Sequence, residues 1–286
     1  MGFHLNAIAT ALIALFGTFY PLCDASRDAS FDENYNVTWG NHHVSFRHQR
    51  REVQLLLDKS TGAGFASKAF YASGFFKMKI KTPGNKDSAG IITAFYLFLN
   101  TTVHDEMDFE FLGDSPGKPI ILQTNEYING FGGKEQRFVL WFDPSADFHY
   151  YKFLWNQHQV VFYVDEIPIR VYKNKKTEGL KFPSNTMQLI VSLWDGSNWA
   201  SRSKVNYSNG PFLAHFEDFS MDECVSPPNH PKADCYSQKY WWNNEKYWQL
   251  NSQQLKAYED TKKKYMVYDY CSDKVRYHTP PIECNG

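Results

Sequence analysis

The chain has 286 residues, with 30 lysines and arginines against 31 aspartates and glutamates, and 17% of it is aromatic. This near-neutral balance, without a basic stripe or a polybasic patch, excludes a nucleic-acid binder or membrane-surface protein that works through charge. There is no glycine-rich phosphate loop, no serine-centred nucleophile elbow and no His/Glu metal pair at helical spacing, so neither cofactor nor metal is expected, and an uncharged polymer fits best as partner.

The first 20 or so residues carry no acid, and Ala7 to Tyr20 reads as the apolar core of a signal peptide, with a cleavage point after Ala25. A membrane anchor needs about 20 continuous apolar residues, and Asn6, Thr10 and Pro21 break the run. Residues 1–25 are therefore expected to be a leader and the protein to be secreted, with no membrane partner. Sequons at Asn36, Asn100 and Asn206 are glycosylation candidates in such a protein. The remaining residues, about 260, suit one large β domain.

Short alternating runs then dominate. Phe76, Met78 and Ile80 would face one way on a strand, and Lys77, Lys79 and Lys81 the other. Gly90 to Leu99 is almost continuously apolar, as in a fully buried strand. Val160 to Val164 and Ile167 to Val171, joined by Asp165-Glu166, read as a hairpin. Turn signals recur at Thr82-Pro83-Gly84-Asn85, Asn129-Gly130 and Asp143-Pro144-Ser145. Many strands without interleaved helices predict an all-β jelly-roll sandwich of two antiparallel sheets over residues 26–222. Beyond Ser226-Pro227-Pro228 an aromatic cluster (Tyr240, Trp241, Trp242, Tyr247, Trp248) precedes a helix capped by Asn251 or Ser252, with Leu255 and Tyr258 on one face, and a last strand from Tyr265 to Tyr270. Residues 223–286 are too few for a core of their own, and are expected to pack on the sandwich and lengthen a concave sheet.

One octapeptide outweighs the rest: His104-Asp105-Glu106-Met107-Asp108-Phe109-Glu110-Phe111. On a strand, Glu106, Asp108 and Glu110 share one face while Met107, Phe109 and Phe111 enter a core. A helix would swing Asp108 away from the two glutamates. Like charges on one sheet face repel, so a purely structural strand has little reason to hold three. Four residues along a strand span about 13 Å at roughly 3.3 Å per residue. Two glutamates leaning together could close this to about 5 Å, the separation used by a retaining glycosidase. One of Glu106 and Glu110 is then the candidate nucleophile and the other the acid/base, with Asp108 a helper that keeps the nucleophile ionised. A solvated acidic edge strand is the alternative.

Through Leu112 and Gly113 this run resembles the active-site strand of glycoside hydrolase family 16, and specifically of the plant xyloglucan endotransglucosylase/hydrolases. The resemblance extends along the chain: Ser73-Gly74-Phe75-Phe76, Gln123-Thr124-Asn125, Leu140-Trp141-Phe142-Asp143-Pro144, Phe162-Tyr163-Val164-Asp165, Ile167-Pro168-Ile169-Arg170, Trp199-Ala200, and Tyr265-Met266-Val267-Tyr268-Asp269-Tyr270-Cys271. It implies a retaining enzyme that cleaves the β-1,4-glucan backbone of xyloglucan and transfers it to another xyloglucan chain in the cell wall and apoplast, acting as a monomer. It implies sugar contacts from Gln123, Thr124, Asn125, Lys134, Glu135, Asn198, Trp199 and Arg276. Two departures stand out: Lys134 replaces an arginine, losing its planar fork, and Asn198 replaces an aspartate. The sequon that many members carry after the catalytic strand is here Asp114-Ser115-Pro116, which cannot accept a glycan; Asn100 is a substitute candidate.

Four cysteines remain beyond the leader, Cys224, Cys235, Cys271 and Cys284, and an even number in a secreted chain predicts two disulfides with three possible pairings. The resemblance implies 224 with 235 and 271 with 284. A zinc site would need a tighter spacing than these offer. Three other functions compete with chain transfer. A predominantly hydrolytic xyloglucanase would use the same residues, a non-catalytic sugar-binding sandwich would have lost one glutamate, and a mixed-linkage glucanase would not need the cysteine-tied tail.

Overall fold

The computed structural model describes residues 29–175, 179–199 and 204–284. The expected leader over 1–25, with Cys23, and also Ala200 and Ser203, lie outside the described residues. With strands numbered in chain order, a front sheet runs β1 (Tyr35–Trp39), β4 (Ala63–Ser67), β13 (Gln188–Asp195), β6 (Ile91–Phe98), β7 (Glu106–Leu112), β8 (Ile121–Tyr127), β9 (Gln136–Val139) and β16 (Met266–Asp269). A back sheet runs β12 (Ile167–Lys173), β11 (Gln159–Val164), β10 (His149–Trp155), β5 (Tyr71–Lys81), β14 (Phe212–Glu217), β3 (Glu52–Leu57) and β2 (Val44–Arg47), with β15 (Met221–Val225) paired to β5. All pairings are antiparallel. This is the expected jelly-roll sandwich.

Period two explains the layers. Phe76, Met78 and Ile80 of β5 are fully buried between the sheets, and the intervening lysines point outward. The β11–β12 hairpin turns at Asp165, whose φ of 51° is left-handed; a short polar side chain tolerates that region better than most. At the centre, Phe109 of β7 meets Phe153 at 4.8 Å and Phe162 at 5.2 Å across the interface, in tilted and edge-on contacts. Phe109→Ala would cost about 3–5 kcal/mol here. These rings anchor the active-site strand from behind.

The tail closes around both sheets. Cys224 pairs with Cys235 and Cys271 with Cys284, as the resemblance implied. Trp241, Trp242 and Tyr240 pack on the outer face of the back sheet against Phe75, Leu154 and Val161. Trp242 Nε1 donates to Ser73 Oγ at 3.1 Å, and that hydroxyl donates to the Cys235 carbonyl. A short helix, α1 (Phe31–Asn34), opens the described chain, and α2 (Ser252–Tyr265) starts at Asn251 in a capping box with Gln254 and lies against β12. Leu255 does not join Tyr258 in the interface: it is 46% exposed, and Thr261 is the buried residue of α2. β16 then adds to β9, so the tail lengthens the sheet that carries the acids. β15 crosses the expected 222/223 boundary. No helix among the described residues is long and apolar enough to cross a membrane.

Candidate active site

β7 lies fifth in the front sheet, and its register fixes what surrounds each acid. Glu106 lies between Phe98 of β6 and Tyr127 of β8, Asp108 between Tyr96 and Asn125, and Glu110 between Ala94 and Gln123. Directly opposed residues of an antiparallel pair share a face. The three acids line one open cleft of about 420 Å³ with Ala94, Tyr96, Phe98 and Tyr127 from this register, and with His104, Ser192 and Trp194. Met107, Phe109 and Phe111 point the other way and are buried to 1% exposure or less.

The three acids are held differently. Gln123 Nε2 donates to Glu110 Oε2 at 2.7 Å, and Arg137 Nε donates to Gln123 Oε1 at 2.7 Å. Arg137 thus occupies the amide oxygen, which leaves the amide N–H for Glu110. Glu106 has His104 Nε2 at 3.2 Å and a hydrogen bond with Asp108. Asp108 itself is 4% exposed.

Burial first, then the charges of Glu106 and Glu110, pushes the Asp108 carboxyl well above the carboxylate range, so it keeps its proton and can donate it. Burial raises Glu106 too, against hydrogen bonds from Asp108 and His104 that favour its ionised form. Glu110 is pushed up to about 7 by burial and by the charges of Glu106 and Glu135, with the Gln123 hydrogen bond working against the shift. Below about pH 7 Glu110 is thus a protonated acid, while Glu106 has donors on both sides that favour its carboxylate. That division of labour is what glycoside hydrolysis through two carboxyl groups requires.

The structure sorts the expected sugar contacts. Gln123 and Asn125 face the cleft side of the sheet beside Glu110 and Asp108, and Asn125 Oδ1 accepts from the Lys134 backbone N–H at 3.0 Å. Thr124 does not belong to this set. Alternation sends it inward, where it is fully buried and its hydroxyl accepts from Arg170 Nη1 at 3.1 Å. The Lys134 ammonium also turns away, towards the Phe131 carbonyl and Glu283. Glu135 accepts from Arg276 Nη1 at 2.5 Å, a pair that ties the tail to the loop before β9. Asn198 is exposed, and Trp199, 53% exposed, stands 5.8 Å from the cleft-lining Trp194. Asn36, Asn100 and Asn206 are all exposed. Sequence reasoning missed Arg137, Tyr96, Tyr127 and Trp194. Arg137 was within reach, since it alternates with Glu135 on the run into β9; the others depend on register between strands.

Residues 31–209 match the sequence profile of glycosyl hydrolases family 16. The chain belongs to this family. A second profile, the xyloglucan endo-transglycosylase (XET) C-terminus, matches residues 236–284 of the family 16 chain. Among curated relatives it is 52% identical over 258 residues to xyloglucan endotransglucosylase/hydrolase protein 2 of Arabidopsis thaliana, covering 89% of this chain and 88% of that one. Protein 3 of the same plant is 50% identical over 259 residues, covering 89% and 88%. The chain is thus a family 16 member of the xyloglucan endotransglucosylase/hydrolase group. Among solved structures, a Bacillus licheniformis β-glucanase (TM-score 0.55, 22% identity, 68% of this chain and 92% of that one) and the Crh5 transglycosylase (TM-score 0.56, 20% identity, 72% and 84%) share its fold.

Proposed function

We propose that the protein cleaves the β-1,4-glucan backbone of xyloglucan with retention and transfers the cleaved chain to a second xyloglucan, remodelling the plant cell wall outside the cell. The observation that carries this reading is the row Glu106, Asp108 and Glu110 on one strand face, with Glu110 shifted to about 7 and Glu106 flanked by donors. Glu106 attacks the anomeric carbon while the Glu110 proton passes to the departing glycosidic oxygen, giving a glycosyl ester and a shorter chain with a new 4-hydroxyl. Glu110, now a carboxylate, takes the proton from the incoming 4-hydroxyl as its oxygen displaces Glu106. Cofactor and metal have no part in these steps.

Transfer and hydrolysis share the first step and differ in what enters second. Water is abundant, but a positioned acceptor reaches effective molarities of about 10⁵ M or more, so acceptor binding decides. Support for an acceptor side comes from the tail: β16 prolongs the sheet past β9, and Tyr268 stacks under Arg137 at 5.1 Å. The names of the relatives point to the same substrate.

The test is size-exclusion analysis of xyloglucan incubated with the protein and a labelled xyloglucan oligosaccharide. Label moving into long chains is the expected result. Shortening chains and rising reducing ends without incorporation would assign the protein to hydrolysis. Glu106→Ala should abolish turnover while xyloglucan binding stays measurable, and surviving turnover would refute the nucleophile assignment.

A further inference from the structure

We propose that His104 is a positioning residue for Glu106: its ring, clamped between two acceptors, aims an N–H at one oxygen of the nucleophile and holds that carboxylate in its charged form. The inference rests on the reading of Glu106 as nucleophile.

Proton counting carries the argument. The ring nitrogen Nδ1 lies 3.2 Å from the Thr101 carbonyl oxygen, and Nε2 lies 3.2 Å from Glu106 Oε2. A carbonyl only accepts, so Nδ1 bears a hydrogen. An ionised carboxylate also only accepts, so Nε2 must bear one too. Both contacts are hydrogen bonds to an ionised Glu106 only when each ring nitrogen carries a hydrogen. In the neutral ring the Nε2 lone pair would face the carboxylate and repel it. The ring cannot simply turn away. Phe98 meets it edge-on at 5.2 Å, and Tyr127 lies tilted against it at 5.3 Å. These are the two residues that flank Glu106 in register, so one aromatic frame holds both members of the pair.

The backbone is fixed as well. The His104 carbonyl accepts from Gly130 N–H at 2.7 Å. The next residue, Asp105, is fully buried and takes N–H groups from Asn129, Ser184 and Asn185. Such saturation is out of proportion for a surface turn, and it fixes where the imidazole starts.

The charged and titratable groups around the ring come from every side. Glu106 faces it from β7, with Asp108 beyond, hydrogen-bonded to Glu106. Tyr127 faces it from β8, its phenol pushed up by burial and nearby carboxylates and hence neutral. Asp105 adjoins it with its carboxylate occupied by the three N–H groups. Phe98 and Thr101 complete the surroundings without ionisable groups. Glu106 thus sits between a carboxylic O–H and the ring nitrogen Nε2 of His104. Both donors favour its charge before attack, and both stabilise it as it departs from the sugar in the second step.

The test compares His104→Phe, which removes the donor, with His104→Gln, which keeps a neutral one. In His104→Phe the acid limb of kcat/KM should move up by about one pH unit, a tenfold loss on that limb, while the alkaline limb set by Glu110 stays. His104→Gln should fall between the two. The Glu106 carboxyl, followed by ¹³C NMR with isotopically labelled glutamate, should titrate higher in both variants. A uniform activity loss with unmoved limbs, or an unmoved Glu106 titration, would overturn the proposal. If His104→Phe does not fold, His104→Gln and its NMR titration decide alone. Failure of the underlying reading is separately visible: a 2-fluoro glycosyl donor would then label a residue other than Glu106, whatever the NMR titration shows.

Discussion

β7 and β8 carry glutamates on opposite faces of one sheet, and the two faces treat them in opposite ways. Inward, Glu126 is fully buried and meets Arg170 Nη2 at 3.1 Å; Arg170 also donates to the Thr124 carbonyl at 3.0 Å and hydroxyl at 3.1 Å. Lys134 and Glu283 lie close enough to act on the same carboxylate. Every charge there has a counter-charge. Outward, Glu106, Asp108 and Glu110 are held by an imidazole, an amide and each other, and the nearest guanidinium on that face, Arg137, reaches Glu110 only through Gln123. A sheet that can match its acids on one side and leaves them poorly matched on the other has kept the mismatch for chemistry.

Removing the match should be the most damaging change. Arg170→Met leaves Glu126 as an uncompensated buried charge, and breaking such a pair costs about 3–5 kcal/mol, to be read from denaturant midpoints. On the cleft face the sign reverses. Asp108→Asn exchanges a buried carboxyl, which folding forces to keep its proton, for a neutral amide, so stability should hold or rise while activity falls sharply. Equal destabilisation by both variants would abolish the contrast.

The tail offers the next test. Cys271 and Cys284 close a loop of 13 residues beside Glu283. In the chain-entropy account, opening a loop of this size with Cys271→Ser and Cys284→Ser costs about 3 kcal/mol. The damage should concentrate on the tie between the tail and the loop before β9: Arg276 and Glu135 would loosen, and transfer to an oligosaccharide acceptor should fall more than the cleavage of long chains. Parallel losses in both assays would mean that the tail serves stability alone.

The acids' strand was legible because it is local: six residues with period two admit one arrangement. The same holds for the Asp165 hairpin and for the Asn251 cap. Non-local facts were not legible. That Tyr96 stands opposite Asp108, or that Arg170 enters the core beneath Thr124, follows from register across strands far apart in the chain. Thr124 shows how a motif can mislead. Gln123 and Asn125 were correctly placed on one face, which already required their neighbour to face inward. Lys134 is different, since it lies in a loop, where no period dictates direction.

pH separates the two faces at a smaller scale. Glu110 is raised from 4.5 to about 7, so between those values the folded protein keeps a proton that the unfolded chain has released. Its contribution is full below about pH 4.5 and lost as pH rises through about 7. Glu110→Gln should therefore stabilise the protein by roughly 3 kcal/mol above pH 7 and flatten that part of the stability profile. Glu223, on β15 of the back sheet, is likewise pushed up to about 7 by burial and Asp222. Glu223→Gln should flatten the same window without touching the alkaline limb of activity. Only Glu110 should move both.

The smallest effect asks whether the faces communicate. Asn251 Oδ1 accepts from Gln254 N–H at 2.9 Å and Gln254 Oε1 from Asn251 N–H at 3.0 Å, which starts α2 against β12, the strand that carries Arg170. Asn251→Ala loses that cap at a cost of about 1 kcal/mol, visible as a lowered melting temperature. The cleft acids hang from β7, whose inward side chains are locked among Phe153, Phe162 and Tyr151 on β10 and β11, not on β12. Slackening α2 should therefore leave kcat and both pH limbs where they are. If the limbs shift with the melting temperature, Arg170 transmits the state of the tail through the sheet, and the two faces form one electrostatic unit.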